Sequence, residues 1–308
     1  MAEIVYDGGS PSSTFSSNPG PLLGLTYDCT LLVAVGDLVL GAVDEYGNKW
    51  TVPTFEGWDG SPSPTLQLTQ RAGAHGATAS ESFLTPRYLK VGGFIHATDH
   101  VALNRAIDRL NAVVTLTPFR LTVAHDEGTR HCQAQRNGEV ITNRVTDKLA
   151  SYSLLLVVKD PRKLGDSVSY TTRLPYSEGG VIYPVTYPLT YTGTSGSGVV
   201  TINNPGNTQA PVWLRIAGPL PAGGWTITHQ GKRQTLSFAA SLELTNGEFV
   251  TVDMDRKEIL AQGQAARSGY ITRRGWFSLD PGDNDIAFSA VNYSAEALLT
   301  ITTKPAWS

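Results

Sequence analysis

Apolar positions recur with a period of two through the carboxy-terminal third of the chain. Val212, Leu214 and Ile216 alternate with Trp213, Arg215 and Ala217; Trp225 is in phase with Ile227, and Ile286 with Phe288 and Ala290. Successive side chains of an extended strand point to opposite faces, so this alternation predicts half-buried strands. Between the runs stand Asn204-Pro205-Gly206, Thr245-Asn246-Gly247 and Asp280-Pro281-Gly282-Asp283-Asn284, residue types that tolerate positive φ or preset a turn. Strand and turn at this spacing predict one antiparallel β-sandwich over residues 203–308. Asp253 and Asp255 fall where a strand turns back, with Lys257 and Glu258 starting the return. Trp276 and Phe277 are expected on one strand, and Leu279 to Asn284 as the tight connection to the strand of Ile286.

Upstream the pattern changes. Residues 8–24, rich in Gly, Ser and Pro, read as an arm or loop. Short strand-like runs follow at CTLLVAV, DLVLGAV and KWTV, broken at Gly36-Asp37 and at Gly47-Asn48, a hairpin-turn pair. From Glu56 to Ser82 the chain loosens into a long loop, a length that is usually functional where it occurs in a compact domain. Within it Leu66 and Leu68 alternate with polar residues as an edge strand does. Arg87 to Ala97 reads as a strand with a bulge or bend at Gly92-Gly93. Leu103, Ala106, Ile107, Leu110, Val113 and Val114 then take helical spacing, which predicts one amphipathic helix over 100–114 capped by Asp99. Further strands are expected in FRLTVAH, TRHCQAQRN and EVITNRV, with turns at Glu127-Gly128 and Asn137-Gly138. A long strand through ASYSLLLVV, wet at its start and buried on both sides at its end, stops at Asp160-Pro161. The expected organisation is an amino-terminal domain over 1–164, an extended connector over 165–202 and the sandwich over 203–308.

At 308 residues two domains are expected. Charged residues make up 17%, below the usual share of about a quarter, and a surface short of charge suits contact with other protein. The net charge of −3 supplies no basic stripe for gripping nucleic acid. No stretch approaches the length of a membrane span and the first residues lack a signal-peptide pattern, so no membrane anchor is expected. Cys29 and Cys132 lie far apart without metal-ligand spacing and are expected to be buried free thiols.

The chemistry-bearing residues form no catalytic set. His96 and His100 lack a third ligand; His131 and Cys132, adjacent on a strand, face opposite ways; Asp280, Asp283 and Asp285 lack calcium-loop spacing. No GxSxG, HExxH or P-loop occurs. The expectation is a non-enzyme with no cofactor and no metal. Two binding surfaces remain as candidates: an oligomer interface at Leu66, Leu68 and Arg71, and a glycan-binding set of Trp213, Tyr270 and Trp276.

The order NNPGN, an apolar strand ending in Ile-Ala-Gly, NGEFVTVDMDRKEIL, W-x-x-L-x-P-G-x-N-x-I and a terminal Trp307 resembles the carboxy-terminal domain of siphophage distal tail proteins. The segment PRYLKVGGFIHATDHVALNRAIDRLNAVV, with a long strand closing on Asp-Pro-Arg, is similar to the amino-terminal ring domain of the same family. The resemblance runs from Tyr27 onward. It implies a mainly β chain, with an amino-terminal split β-barrel carrying one helix and a galectin-like antiparallel β-sandwich after it. It further implies a structural virion protein at the tip of a long non-contractile tail, assembled in the host cytoplasm. As a homo-hexamer it would form a hub ring, with tail-tube protein above and a baseplate hub or receptor-binding protein below. Genomic DNA would pass through without specific binding. The rival expectation is a lectin-like module recognising host surface glycans.

Overall fold

The computed structural model describes residues 3–7, 10–14, 32–125, 128–178 and 194–308. Cys29 and residues 8–9 and 15–24 of the expected arm over 8–24 lie outside them; the arm reading is corrected at Ser10–Thr14, which pairs as a strand with Glu3–Asp7. The chain divides into a unit over Met1–Gly165 and a unit over Asp166–Trp307.

In the amino-terminal unit one antiparallel sheet runs in the order Leu38–Leu40, Leu32–Val35, Phe119–His125, Gly128–Arg136, Leu149–Val158, Arg87–His96, Lys49–Glu56. Its two end strands are joined by the Gly41 to Asn48 connection, where Val43 bridges Lys49 and the Trp50 N–H donates to Ala42 O at 2.9 Å. The sheet therefore curls on itself without a continuous closing ladder. Asp44 fixes this corner: its carboxylate accepts from the backbone N–H groups of Tyr46 and Asn48 and from the Trp50 indole at 3.0 Å. The expected bulge is a register shift between Gly92 and Phe94. The long strand differs from expectation. Ala150, Tyr152, Leu154, Leu156 and Val158 are buried, but Leu155 is 44% exposed and Val157 half-buried, so the second face is not buried at the strand's end.

The helix spans His100–Val113, with Asp99 accepting from the N–H groups of Val101 and Ala102 at 2.8 Å. Leu103, Ala106 and Leu110 are buried in the same cluster as Val91, Ile95, Leu121 and Leu154, while Ile107 and Val113 pack at its margin. Arg109 lies off this stripe, paired with Glu45 at 3.2 Å.

The carboxy-terminal unit is a two-sheet sandwich. One sheet orders Val168–Arg173, Leu298–Thr303, Val212–Ala217, Phe249–Asp253, Glu258–Ala261 and Ala265–Ala266; the other orders Val199–Asn204, Gly282–Ala290, Trp225–His229, Gln234–Phe238 and Ile271–Arg274. The predicted alternation holds: Val212, Leu214, Ile216, Trp225, Ile227, Ile286 and Phe288 are buried. The expected connector over 165–202 is corrected at its two ends, while its residues 179–193 lie outside the described residues. Val168–Arg173 pairs along its full length with Leu298–Thr303, and Val199–Asn204 with the Gly282–Ala290 strand. Edge strands of mixed small and polar residues carry too weak an alternation to stand out as sheet. The Asp-Pro-Gly turn also shifts. Gly282 already begins the strand, and Trp276 and Phe277 sit outside any strand.

Asn284 explains that shift. Its Oδ1 accepts from the Asp280 N–H at 2.9 Å and from His229 Nε2 at 3.0 Å, and its Nδ2 donates to the carbonyls of Asp280 and Gly282 at 2.8 Å each. Asn204 acts similarly on the neighbouring turn: Nδ2 donates to Thr208 O at 2.9 Å, and Oδ1 accepts from Gly206 N at 3.1 Å. Only glycine fits at 206, where a Cβ would lie 1.9 Å from the Ala306 carbonyl oxygen. Buried amides that satisfy backbone groups in this way fix the turns uniquely.

Two predictions follow from these cores. Leu110→Asp should cost the amino-terminal unit about 4 kcal/mol, since it places a charge on the buried stripe, whereas Arg109→Ala removes a surface ion pair worth about 1 kcal/mol or less; equal shifts in denaturant midpoint would show that the helix presents another face. The second concerns His229, buried and held neutral because burial lowers its pKa below 6.5, with the Lys232 N–H donating to Nδ1. The unfolded chain takes up this proton below pH 6.5 before the folded one does, so stability falls as pH drops through that value. His229→Gln should lose less stability than the wild type between about pH 7 and pH 5; identical losses would place the proton elsewhere.

Candidate assembly and binding surfaces

The segment expected as a loose loop is a projecting β-hairpin arm. Pro64–Thr65 pairs with Phe83–Leu84, and Leu68–Gln70 with Ala77–Ala79. Bonds from Thr85 N to Ser63 O, Ser80 N to Gln67 O and Arg71 N to Gly76 O close successive steps of the ladder. The correction has a simple cause: each half of the segment supplies a short β-competent run that pairs locally before any neighbour is needed. Leu66, Leu68 and Phe83 are 51%, 64% and 67% exposed, and Arg71 is exposed beside them. The arm buries little of its own apolar surface. Among the described residues its strands pair two by two, each with one neighbour.

The arm's root is fixed by buried cations. Arg87, 2% exposed, donates from Nη1 to the carbonyls of Gly57, Trp58 and Gly60 at 2.7, 2.8 and 2.6 Å, and from Nε to Pro161 O at 3.2 Å. Gly57 allows the strand to leave the sheet here: φ is +86°, and a Cβ would lie 2.0 Å from the Tyr88 carbonyl oxygen. Lys163 donates to Trp58 O at 3.0 Å, with its ammonium 5.6 Å from the Trp58 ring centre. Phe55 stacks on Trp58 at 5.7 Å. Nothing in the spacing of Arg87 marks it out; the only sequence signal is a lone arginine at the head of an apolar strand.

The three aromatics singled out for glycan binding do not assemble. Trp213 lies on the outer face of the six-stranded sheet, its Nε1 donating to Asp253 at 3.0 Å, in a shallow groove with Arg215, Thr251, Glu258 and Thr302. Tyr270 ends a short 3-10 turn, with the Arg267 guanidinium 5.9 Å from its ring, and lines a separate depression with Glu248 and Ser241. Trp276 follows the edge strand Ile271–Arg274 of the other sheet. The acidic residues disperse likewise. Asp280 pairs with Lys232 at 2.8 Å, Asp283 accepts from Asn203 and Asp285 from Thr201.

The root also predicts an alkaline stability profile. Burial and the neighbouring cations Arg87 and Arg130 lower Lys163 from 10.5 to about 8. Burial, aided by Asp160, pushes the Cys132 thiol from 9.0 up to about 12. Between pH 8 and 9 the unfolded chain keeps the lysine proton that the folded chain releases, so stability rises with pH. Above pH 10.5 the lysine contribution is spent, and the unfolded thiol ionises while the folded one does not, so stability falls toward pH 12. Lys163→Met should flatten the rise and Cys132→Ala the fall in urea titrations; variants that follow the wild-type curve in both windows would remove these groups from the profile.

Residues 205–307 match the family described as siphovirus-type tail component, C-terminal domain. Among solved structures, the Dit protein of phage SPP1, described as a paradigm of hub adsorption apparatus in phages infecting Gram-positive bacteria, is similar at 14% identity and a TM-score of 0.64, over 91% of this chain and 100% of that one. A chain of the activated baseplate of phage p2 is similar at 10% identity and a TM-score of 0.48, over 88% of this chain and 97% of that one. No curated protein sequence matches significantly. The match lies over the segment whose Asn204 and Asn284 turns build the sandwich, while the fold likeness extends through the amino-terminal unit. Residues 205–307 thus match a siphovirus-type tail component carboxy-terminal domain, and the fold of the chain that carries them resembles that of the SPP1 Dit protein.

Proposed function

We propose that this chain is a structural subunit of the tip of a long non-contractile phage tail. Six copies close head to tail into a hub ring that joins the tail tube to the host-adsorption apparatus. Residues 27–160 make the ring and the sandwich points outward. Tail-tube protein docks above and a baseplate hub or receptor-binding protein below, with genomic DNA passing through the ring; assembly takes place in the host cytoplasm. The observation that carries this reading is the presence, in one chain, of the tail-component domain and of an amino-terminal unit with a rooted, outward arm. The described hub role of the similar SPP1 protein agrees with it.

The physical logic of closure lies in the arm. A heterologous contact repeated by one rotation forms a ring when the rotation closes. Among the described residues Leu66, Leu68 and Phe83 stay exposed and each arm strand pairs with one other, so the arm offers a neighbour apolar area and a strand edge to pair with. Arg87 holds the root still, so little orientational freedom is lost when the arm docks.

Replacing residues 62–85 with a short Gly-Ser linker leaves Gly57, Trp58, Gly60 and Arg87 in place. Native mass spectrometry should then show a folded monomer, while the intact chain gives a hexamer alone or with tail-tube protein. A ring that persists without the arm would move closure elsewhere. An intact chain that stays monomeric with tail-tube protein present would overturn the hub.

A further inference from the structure

Pairing register places a compact set of side chains on the outer face of the six-stranded sheet. Thr302, Trp213, Asp253 and Glu258 stand in one row across four strands, and Arg215 and Thr251 are in the next row. They face outward because Leu214, Val252 and Ile301, the alternate residues, are buried in the sandwich. Together they line a shallow groove.

The groove is built rather than incidental. The Trp213 indole is held by its bond to Asp253 Oδ2, and the other Asp253 oxygen accepts from the Arg256 N–H at 2.9 Å, so the aromatic plane cannot swing freely. Lys304 lies 5.7 Å from the Trp213 ring centre and Arg215 lies 4.3 Å from that of Phe249, so the Arg215 guanidinium is positioned without a carboxylate. Among the described residues neither the Arg215 guanidinium nor the Glu258 carboxylate has a hydrogen bond or ion pair. A donor fork and an acceptor therefore flank a fixed aromatic plate with their bonding capacity unspent. That combination suits a ligand with one apolar face and a rim of hydroxyl groups, which is the character of a pyranose ring. Arg215 and Glu258 offset one another in charge, which favours a neutral ligand.

We propose that this face binds a neutral hexose or N-acetylhexosamine unit of a surface glycan, with Trp213 as the stacking plate and Arg215 and Glu258 as the hydroxyl-reading pair. This goes beyond the hub reading, which requires no such site, and moves the glycan set away from Tyr270 and Trp276.

The test uses the full chain labelled with fluorotryptophan, whose six indoles give separate resonances, Trp213 being assigned by Trp213→Phe. Methyl glycosides of glucose, galactose, rhamnose and N-acetylglucosamine are titrated to about 50 mM, enough to detect millimolar binding. The Trp213 signal should shift saturably with at least one sugar, while that of Trp225, buried in the core, stays put and reports an intact fold. Arg215→Ala and Glu258→Gln, both at exposed positions, should each weaken binding about tenfold or more, as loss of a charged hydrogen-bond partner does. No Trp213 shift with any sugar, or an equal shift in both variants, overturns the proposal. A shift caused by tail-tube protein and by none of the sugars makes the face a protein contact and overturns it as well. Native mass spectrometry decides the hub separately, so a monomeric chain that still binds sugar leaves this inference standing.

Discussion

A buried guanidinium holds the amino-terminal unit in the form its arm requires. Arg87 begins the strand that returns from the arm, and it donates into the carbonyls of Gly57, Trp58 and Gly60 on the outgoing side and of Pro161 beyond the long strand. Without it the Trp58 carbonyl would keep the Lys163 ammonium, while each buried acceptor left unmade costs on the order of 1–3 kcal/mol. Lysine could not replace it, because a single ammonium lacks the planar fork that reaches both sides at once. The cost is the burial of two cations side by side, which shows in the lowered Lys163. A chain that accepts this desolvation gains a projecting element with a rigid base.

In the carboxy-terminal unit buried amides do corresponding work. Asn284 gathers Asp280, Gly282 and His229, and Asn204 gathers Thr208 and Gly206. Each sits in a motif that reads from the sequence as a turn, and each proves to be the bonding hub of that turn. His229 is part of the same network, neutral and with both ring nitrogens engaged, so its role is structural.

The two units divide the surface between them by chemistry. The arm presents exposed apolar side chains, which suit protein. The outer face of the six-stranded sheet presents the Trp213 indole with Arg215 and Glu258 near it, which suits a hydroxylated ligand.

The sequence by itself determined the strands of the sandwich, the one helix with its Asp99 cap, and the bulge at Gly92-Gly93, because period, cap and glycine are local signals that act over a few residues. It also singled out Leu66, Leu68 and Trp213 as surface candidates. It read the arm as a loop and Val168–Arg173 as connector, because short polar strands are defined by the partner they pair with and not by their own pattern. It grouped Trp213 with Tyr270 and Trp276 on residue type, whereas register placed Trp213 with Arg215, Asp253 and Glu258 instead. Arg87 was invisible in advance for the same reason: the carbonyls it satisfies lie roughly thirty and seventy residues away in the chain, and only the folded backbone brings them within hydrogen-bond reach.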